Sequence, residues 1–164
     1  MRVRLYVTGG TFDKEYDEIN GRLFFKDTHV REMLKLGRCS LDLEIRTLMM
    51  IDSQEMTPTD REMIRKHCEE SDADRIVITH GTDTMAETAR YLGKRLKDKT
   101  VVLVGALVPY TFGSSDGLFN LGSAMAFAQT LPPGVYVAMN GRCFQWDNVR
   151  KNTSTGFFEA VRAS

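Results

Sequence analysis

Short apolar runs alternate with longer amphipathic segments along this chain, and that alternation limits the folds it can adopt. Short apolar runs predict strands at Val3 to Thr8, Leu43 to Leu48, Arg75 to Thr79, Thr100 to Gly105 and Val135 to Met139. Strands separated by helix-length segments pair in parallel, because each crossover helix returns the chain to the same end of the sheet. The sequence therefore predicts an α/β fold with a single doubly wound, mainly parallel sheet flanked by helices.

The predicted helices have recognisable signals at their ends. Thr57 is a candidate N-cap and is followed by a proline at the first helical position, a combination typical of a helix start. Thr84 and Glu87 have the spacing of a capping box, which predicts a helix that runs on to about Leu96. A further helix is expected from about Asp116 to Thr130, before a proline pair ends it.

The segment between Gly10 and His29 is rich in charge and has no clear period. It contains Asn20-Gly21, a dipeptide that favours a tight turn and predicts the tip of a hairpin. Loops and hairpins on rigid scaffolds often carry function, so this segment is a candidate cover for a site.

Composition and charge narrow the class of partner. The 164 residues include 22 basic and 22 acidic side chains, and the resulting zero net charge provides no field to attract nucleic acid or a membrane surface. A small-molecule partner is expected instead. The sequence has no apolar run of membrane-spanning length and no signal-peptide core, so a cytoplasmic location is expected.

The cysteine spacing and the uniform composition bear on metal sites, disulfides and the number of domains. Cys39, Cys68 and Cys143 have no paired spacing, which argues against a metal site or a disulfide framework and favours reduced thiols. No repeat or change in composition divides the chain, so residues 1–164 are expected to form one domain.

Polar residues follow three of the predicted strands. Thr11 comes after a glycine pair, Ser53-Gln54 follows the second strand, and Thr82-Asp83 follows the third. Small molecules bind at the carboxyl ends of strands in α/β sheets, so these groups are expected to share one pocket. A carboxylate for an ammonium, together with hydroxyls and backbone N–H groups for a carboxylate, suits a zwitterionic ligand.

Five motifs carry a resemblance to a known family. They are TGGT at Thr8 to Thr11, DSQEM at Asp52 to Met56, HGTDTMAETA at His80 to Ala89, SSDGLFNL at Ser114 to Leu121, and VAMNG at Val137 to Gly141. In this order and over nearly the whole chain, they resemble the N-terminal domain of the bacterial asparaginase/glutaminase family. The resemblance implies hydrolysis of the side-chain amide of L-asparagine, and in some members of L-glutamine, through a covalent acyl-enzyme without metal or cofactor.

The resemblance also implies catalytic roles at particular positions. Thr11 matches the family's nucleophilic threonine, and Tyr16 lies in the lid that follows it, where a tyrosine assists proton removal. Thr82 matches the threonine assigned to water activation or nucleophilic attack. Lys151 aligns with the lysine that contacts this threonine, and its neighbour Arg150 is the rival if the register shifts by one.

The same resemblance implies how a substrate is held. Asp83 matches the aspartate that binds the substrate's α-ammonium and belongs to the relay with Thr82. Ser53 and Gln54 are expected to bind the α-carboxylate and the ammonium side of the substrate. Backbone N–H groups at Thr11 and Thr82 are the expected donors to the oxyanion of the tetrahedral intermediate. His80 is expected to form structural hydrogen bonds and not to act as a base.

The chain also departs from the family's pattern. Typical members are much longer and have a C-terminal domain that contributes an acidic residue to the neighbouring subunit's site, whereas this chain ends at Ser164. The resemblance thus suggests a short-chain asparaginase that closes its pocket with the Gly10 to His29 lid or with a partner subunit. Loss of one buried charge-assisted contact predicts weaker substrate affinity by about 1.5–3 kcal/mol. A homo-oligomer, dimer or tetramer, is expected.

Two alternatives stay open from the sequence. One is a catalytically inactive amino-acid-binding or regulatory domain, although such a domain would not need both threonines and the lysine. The other is that the chain is a fragment of a longer protein.

Overall fold

The computed structural model describes residues 1–163, which form a central six-stranded sheet, two small two-stranded sheets and four helices. The strands are β1 (Arg2–Gly9), β2 (Lys14–Asp17), β3 (Arg22–Phe25), β4 (Asp42–Ile51), β5 (Arg75–Thr79), β6 (Thr100–Val104), β7 (Gly134–Met139), β8 (Arg142–Gln145), β9 (Arg150–Lys151) and β10 (Phe158–Glu159). The helices are α1 (Val30–Leu36), α2 (Pro58–Glu70), α3 (Met85–Gly93) and α4 (Gly117–Thr130). Within residues 1–163, none of the helices has the length and apolar content needed to cross a membrane.

The central sheet has the strand order β4-β1-β5-β6-β7-β8. All five predicted strands are present and pair in parallel, which confirms the predicted mainly parallel sheet. The chain moves from β1 outward to β4 and later returns to β5 on the other side of β1. The strand order therefore reverses beside β1, and α/β sheets bind ligands at such a switch point.

Strand β8 was not predicted from the sequence. It runs antiparallel to β7 at the edge of the sheet and is joined to it by Asn140 and Gly141. Both linking residues have positive φ angles, 57° and 73°, as a tight two-residue hairpin turn requires. The strand is only four residues long, so its alternation of side chains is too short to be read from the sequence.

Helices cover both faces of the central sheet, which confirms the doubly wound arrangement. On one face, Ile64 of α2 and Leu92 of α3 pack in a core with side chains from the middle strands. On the other face, Met33 of α1 and Leu121 of α4 pack in a second core. These four side chains are at most 1 % exposed. Strand β6 is buried along its whole length, as expected for a central strand with helices on both sides.

The sequence predicted the N-terminal cap of α2 correctly and that of α3 incorrectly. At α2, the Thr57 Oγ1 accepts a hydrogen bond from the Asp60 N–H and the Asp60 carboxylate accepts one from the Thr57 N–H, so the predicted N-cap is confirmed. At α3, the predicted capping box is wrong. The Thr84 hydroxyl donates to the Ser53 carbonyl oxygen at 2.8 Å instead, and no side chain caps the helix. The Thr84 hydroxyl thus bonds to a distant residue, Ser53, and not within its own helix.

A β-hairpin of β2 and β3 fills the segment that had no clear period. Its strands pair from Lys14 with Phe25 to Asp17 with Arg22, and Gly21 lies in the tip with a φ of 63°, which confirms the predicted turn. Asp13 precedes the hairpin and is fully buried.

The carboxylate of Asp13 holds the base of this hairpin. Its Oδ1 accepts hydrogen bonds from the Thr28 hydroxyl at 3.1 Å and from the His29 N–H at 2.9 Å. The two ends of the hairpin are thereby fixed to the start of α1. This contact places the hairpin beside the turn that follows β1.

Candidate active site

Three turns meet at the carboxyl edge of the sheet because the strands that carry them are neighbours. Strand β1 lies between β4 and β5, and all three run in the same direction. Thr11 begins a short 3-10 turn after β1, Ser53 begins another after β4, and Thr82 follows β5. The predicted convergence of three polar strand ends thus agrees with the topology.

Glycines allow these three turns to approach one another closely. A Cβ at Gly10, where φ is 79°, would lie 2.5 Å from the backbone N and Cα of Gly81. A Cβ at Gly81 would in turn lie 2.7 Å from the Cβ and Oγ of Ser53. Real Cβ atoms do not approach this closely, so only glycine fits at both positions. The turns after β1, β5 and β4 are therefore stacked on one another.

Lys151 is the centre of the polar cluster beside these turns. Its Nζ donates hydrogen bonds of 2.8 Å to the Thr82 Oγ1 and of 2.8 Å to the Asp83 Oδ1. The other carboxylate oxygen of Asp83 accepts a hydrogen bond of 2.8 Å from the Gln54 Nε2. Four of the residues predicted from the sequence are thus joined by three hydrogen bonds.

The strand that carries Lys151 explains why its neighbour points elsewhere. Side chains alternate along a strand, so adjacent residues face opposite directions. Arg150 pairs with Glu159 at 2.7 Å and its side chain is 62 % exposed. Lys151 lies opposite Phe158 in the β9–β10 pair, and the Phe158 side chain is buried. The geometry therefore brings Lys151, and not Arg150, to Thr82.

The cluster favours the ionised form of Asp83. The hydrogen bond and charge of Lys151 hold the pKa of the Asp83 carboxyl below its ordinary value, with smaller contributions from Gln54 and from the Lys14 cation. Lys14 itself forms an ion pair of 2.6 Å with Asp52, at the start of the turn after β4. Asp83 is therefore held in the ionised form, which is the form that can bind an ammonium group.

A cleft of about 620 Å³ opens over this cluster. It is lined by Gln54, Thr82, Asp83, Thr84, Ala86, Glu87, Arg90, Arg150, Lys151 and Thr153. Thr11, Tyr16 and Ser53 are not among these lining residues. The cluster of Lys151 with its three partners forms one wall of the cleft.

The remaining predicted residues, Thr11, Ser53 and Tyr16, lie outside the lining of the cleft. Thr11 is half-buried at the turn stacked on Gly81, immediately before Thr82. Ser53 is buried, and its Oγ accepts a hydrogen bond of 3.2 Å from the Thr84 N–H. Tyr16 lies on the β2–β3 hairpin with 53 % of its surface exposed.

Several residues at the cleft were not predicted from the sequence. Glu87, Arg90 and Thr153 line it, and Lys14 contributes charge from the hairpin. Glu87 and Arg90 lie on α3 after the Thr82-Asp83 motif, so helical spacing from that motif is the signal that could have located them. No local signal marks Thr153, which reaches the cleft only through the fold.

The side chains of the described chain do not suggest a metal centre. Within residues 1–163, no group of three or more His, Cys, Asp or Glu side chains is arranged to hold a metal ion. His80 is fully buried, and burial lowers its pKa to about 4, so the ring is neutral at physiological pH. Its two ring nitrogens contact Gly81 and Thr88, as expected of a structural hydrogen-bonding residue.

Comparison with known proteins identifies the family. The family described as "Asparaginase, N-terminal" matches residues 2–163. The L-asparaginase of Thermococcus kodakarensis is 31% identical over 161 residues, which cover 95% of this chain and 49% of that protein. L-asparaginase 2 of Escherichia coli K12 is 44% identical over 96 residues, 56% of this chain and 27% of that protein. The chain therefore spans about half the length, or less, of these curated relatives.

The structural comparison agrees over the whole chain. The structure of the thermostable L-asparaginase from Thermococcus kodakarensis superimposes with a TM-score of 0.89 at 30% sequence identity. The match covers 100% of this chain and 52% of that one. The sheet order, the stacked turns and the motifs at their ends all lie inside the matched region. This chain belongs to the asparaginase family and corresponds to its N-terminal domain.

Proposed function

We propose that this chain hydrolyses the side-chain amide of L-asparagine to L-aspartate and ammonia through a threonine acyl-enzyme. The observation that carries the proposal is the Lys151 Nζ, 2.8 Å from both the Thr82 Oγ1 and the Asp83 Oδ1. A hydroxyl is a weak nucleophile at neutral pH until a neighbouring group accepts its proton or stabilises its alkoxide. Lys151 donates a hydrogen bond to the Thr82 Oγ1 and is positioned to stabilise the alkoxide that Thr82 forms when it gives up its proton, and the reaction needs no cofactor.

The substrate is held as a zwitterion in this proposal. The Asp83 carboxylate receives the α-ammonium, and the hydrogen bond from Gln54 fixes the orientation of that carboxylate. The Ser53 hydroxyl donates to the α-carboxylate, which has only acceptors, while its oxygen accepts from the Thr84 N–H. Charge-assisted hydrogen bonds of this kind give both affinity and orientation.

Thr11 forms the acyl-enzyme in the proposed mechanism. Its Oγ1 attacks the side-chain carbonyl carbon, the C–N bond breaks, and the hydroxyl proton leaves with the nitrogen as ammonia. Backbone N–H groups of Thr11 and Thr82 stabilise the oxyanion of the tetrahedral intermediate. A water deprotonated by Thr82, Lys151 and Asp83 then attacks the ester, which releases L-aspartate and returns the proton to Thr11.

Tyr16 assists proton removal from Thr11 once the hairpin folds over the substrate. Support for this role of Tyr16 comes from the position of the hairpin, which begins three residues after Thr11 and is linked to the turn after β4 by the Lys14–Asp52 ion pair. Tyr16 is 53 % exposed, so its side chain is not part of the core. Exchange of Tyr16 for phenylalanine should lower kcat without a change in stability.

Ammonia release from L-asparagine and from L-glutamine by the purified protein tests the proposal. Thr11→Ala and Thr82→Val are expected to lose turnover, and Thr59→Ala, an exposed threonine of α2, is the matched control. No turnover at high substrate by protein that is folded would refute the enzyme and leave an amino-acid-binding domain. Normal turnover by Thr11→Ala would show that Thr11 is not the nucleophile. L-Glutamine has one methylene more than L-asparagine, and a pocket can discriminate between substrates that differ by one methylene by roughly 1–3 kcal/mol.

We also propose that the chain acts in the cytoplasm as a dimer or tetramer. Its three cysteines are free thiols in the structure, which suits a reducing compartment. Large apolar side chains are exposed at Leu107, Phe119 and Phe157, by 39%, 64% and 59%, and such surface is typical of subunit contacts. Light scattering of the purified protein will show whether it is an even-numbered oligomer or a monomer.

A further inference from the structure

A buried arginine lies directly behind the candidate active site. Arg61 belongs to α2, and only 5 % of its side chain is exposed. Its guanidinium donates to the Met56 carbonyl oxygen at 3.2 Å, to the Thr84 Oγ1 at 3.1 Å and to the Thr88 Oγ1 at 3.0 Å. The nearest carboxylate is Glu87, 3.5 Å away and 64 % exposed. A charge buried with so little compensation calls for a physical explanation.

Two of these bonds connect the segments that carry the substrate-binding groups. Met56 follows the 3-10 turn that contains Gln54, and Thr84 follows Asp83. The Thr84 hydroxyl also donates to the Ser53 carbonyl oxygen at 2.8 Å. One planar guanidinium thus holds both segments at a fixed separation. The distance between Gln54 and Asp83 depends on that separation.

The third bond begins a chain of hydrogen bonds that ends next to Thr82. The Gly81 carbonyl oxygen can only accept, so the His80 Nδ1 at 2.7 Å must carry the hydrogen. The buried ring is neutral, so its Nε2 accepts from the Thr88 hydroxyl at 2.8 Å. The Thr88 oxygen in turn accepts from Arg61. Every bond therefore runs in one direction, from Arg61 to the Gly81 carbonyl.

We propose that Arg61 is a positioning residue for amide hydrolysis, which it supports by setting the separation of Gln54 and Asp83 and the orientation of the Thr82 turn. The inference rests on the proposed function. Arginine is suited to this role because its rigid fork offers five N–H donors in fixed directions, whereas a lysine offers one rotating ammonium. Arg61 acts only through Met56, Thr84 and Thr88 and does not touch the substrate.

The substitution Arg61→Met tests the positioning role. Removal of the guanidinium leaves the Met56 carbonyl and the Thr88 oxygen without their donor, so we expect the melting temperature to fall, and the kinetics are measured at a temperature where the variant is folded. Activity should fall, because a displacement of about 1 Å in an active site can reduce the rate by about 100-fold. We expect kcat to fall by about 10- to 100-fold and KM for L-asparagine to rise.

Two further variants complete the set. Arg61→Lys should recover part of the activity, since the three N–H donors of a lysine ammonium can replace part of the fork but not its planar geometry. Arg65→Met is the matched control. Arg65 lies one turn further along α2, and its hydrogen bonds in the described part of the chain go to Glu62 and Glu69, which carry no part of the site. It should leave kcat and KM unchanged.

Hydrogen exchange gives a test that does not need turnover. The Thr84 N–H donates to the Ser53 Oγ, and loss of the Arg61 anchor should raise its exchange rate by about 10-fold or more, while the amides of α4 keep their protection. If the wild type releases no ammonia, the proposed function fails and this measurement still decides the role of Arg61. Wild-type kinetics together with unchanged Thr84 exchange in Arg61→Met would overturn the inference. An equal loss of activity in Arg61→Met and Arg65→Met would also overturn the inference.

Discussion

Exchange of Lys151 for methionine tests the central contact of the site. Methionine keeps the length and the apolar stem of the side chain and removes the ammonium that bonds to Thr82 and Asp83. The rate and the stability should respond very differently. Arg150→Met, at the adjacent position, removes the same charge without touching the cluster and is the control.

The stability change should be small. The Lys151 side chain is 17 % exposed and that of Asp83 is 49 % exposed, so water screens much of their attraction. Pairs of this kind contribute about 0–1 kcal/mol to the free energy of unfolding. Urea unfolding should therefore place Lys151→Met within about 1 kcal/mol of the wild type.

The loss of activity should be large. A positioned acid or base contributes about 10²–10⁴-fold to a rate, which corresponds to about 3–5 kcal/mol of transition-state stabilisation. Ammonia release under kcat/KM conditions should fall by that factor in Lys151→Met and stay near the wild-type value in Arg150→Met. A large loss of activity in Arg150→Met with little loss in Lys151→Met would show that Arg150 takes the place of Lys151 beside Thr82, and would refute the argument.

The pH profile gives a second measure of the same contact. Lys151 holds the pKa of Asp83 below its ordinary value of 3.8, and Asp83 must be ionised to bind an ammonium group. Activity is therefore lost as the pH falls through the Asp83 pKa. Without Lys151 this pKa rises, so the residual activity of Lys151→Met should be lost at a higher pH than in the wild type. An unshifted acid limb would show that Asp83 is not the group that titrates.

Two other sites have outcomes that the structure specifies. Asp13→Asn should keep the hydrogen bonds to one oxygen, including that from His29, while Asp13→Ala should cost about 1–3 kcal/mol in urea unfolding. Burial raises the Asp13 pKa above its ordinary value of 3.8, so the folded state binds the proton more tightly than the unfolded state does. The wild type should therefore lose stability as the pH rises from 3.8 to the raised pKa of the folded state. The free energy of unfolding of Asp13→Asn should not depend on pH in this range. The same pH dependence in both proteins would show that Asp13 is not the group that titrates. Gly93→Ala places a Cβ 2.2 Å from the Trp146 ring and should cost about 1–3 kcal/mol, whereas Gly122→Ala, with open space around it, should stabilise α4 by about 0.5–1 kcal/mol. Equal melting temperatures for the two alanine variants would contradict the packing.

The architecture was predictable because its signals are local. The buried run Thr100–Val104 reads as a strand between helices on both faces, and Thr57 reads as a cap because its partner Asp60 is three residues away. Alternation of elements along the chain then predicts a parallel sheet, and its carboxyl edge predicts where polar strand ends meet. The order of the strands could not be read in this way, because pairing depends on contacts between distant segments.

The site was predictable only in part, for the same reason. Lys151 lies 69 residues from Thr82 in the chain, and only the resemblance to a family pointed to it. The Thr84 hydroxyl was assigned to a local cap, but Ser53, 31 residues away, offered a carbonyl oxygen. Arg61 gave no sign of its role, because an arginine in a charged amphipathic helix is usually exposed to solvent.

The stacking of the turns after β1, β5 and β4 makes the site sensitive to residues that carry no functional group, because the turns approach each other where two glycines lie. A Cβ at Gly10 would have to move about 1 Å from the Gly81 backbone to reach an ordinary contact distance, enough to cost roughly 100-fold in rate. Because Gly81 touches Ser53 as well as Gly10, the three turns cannot shift one at a time. A side chain added at Gly10 or Gly81 is therefore expected to disturb all three turns together, although neither glycine is a lining residue of the cleft.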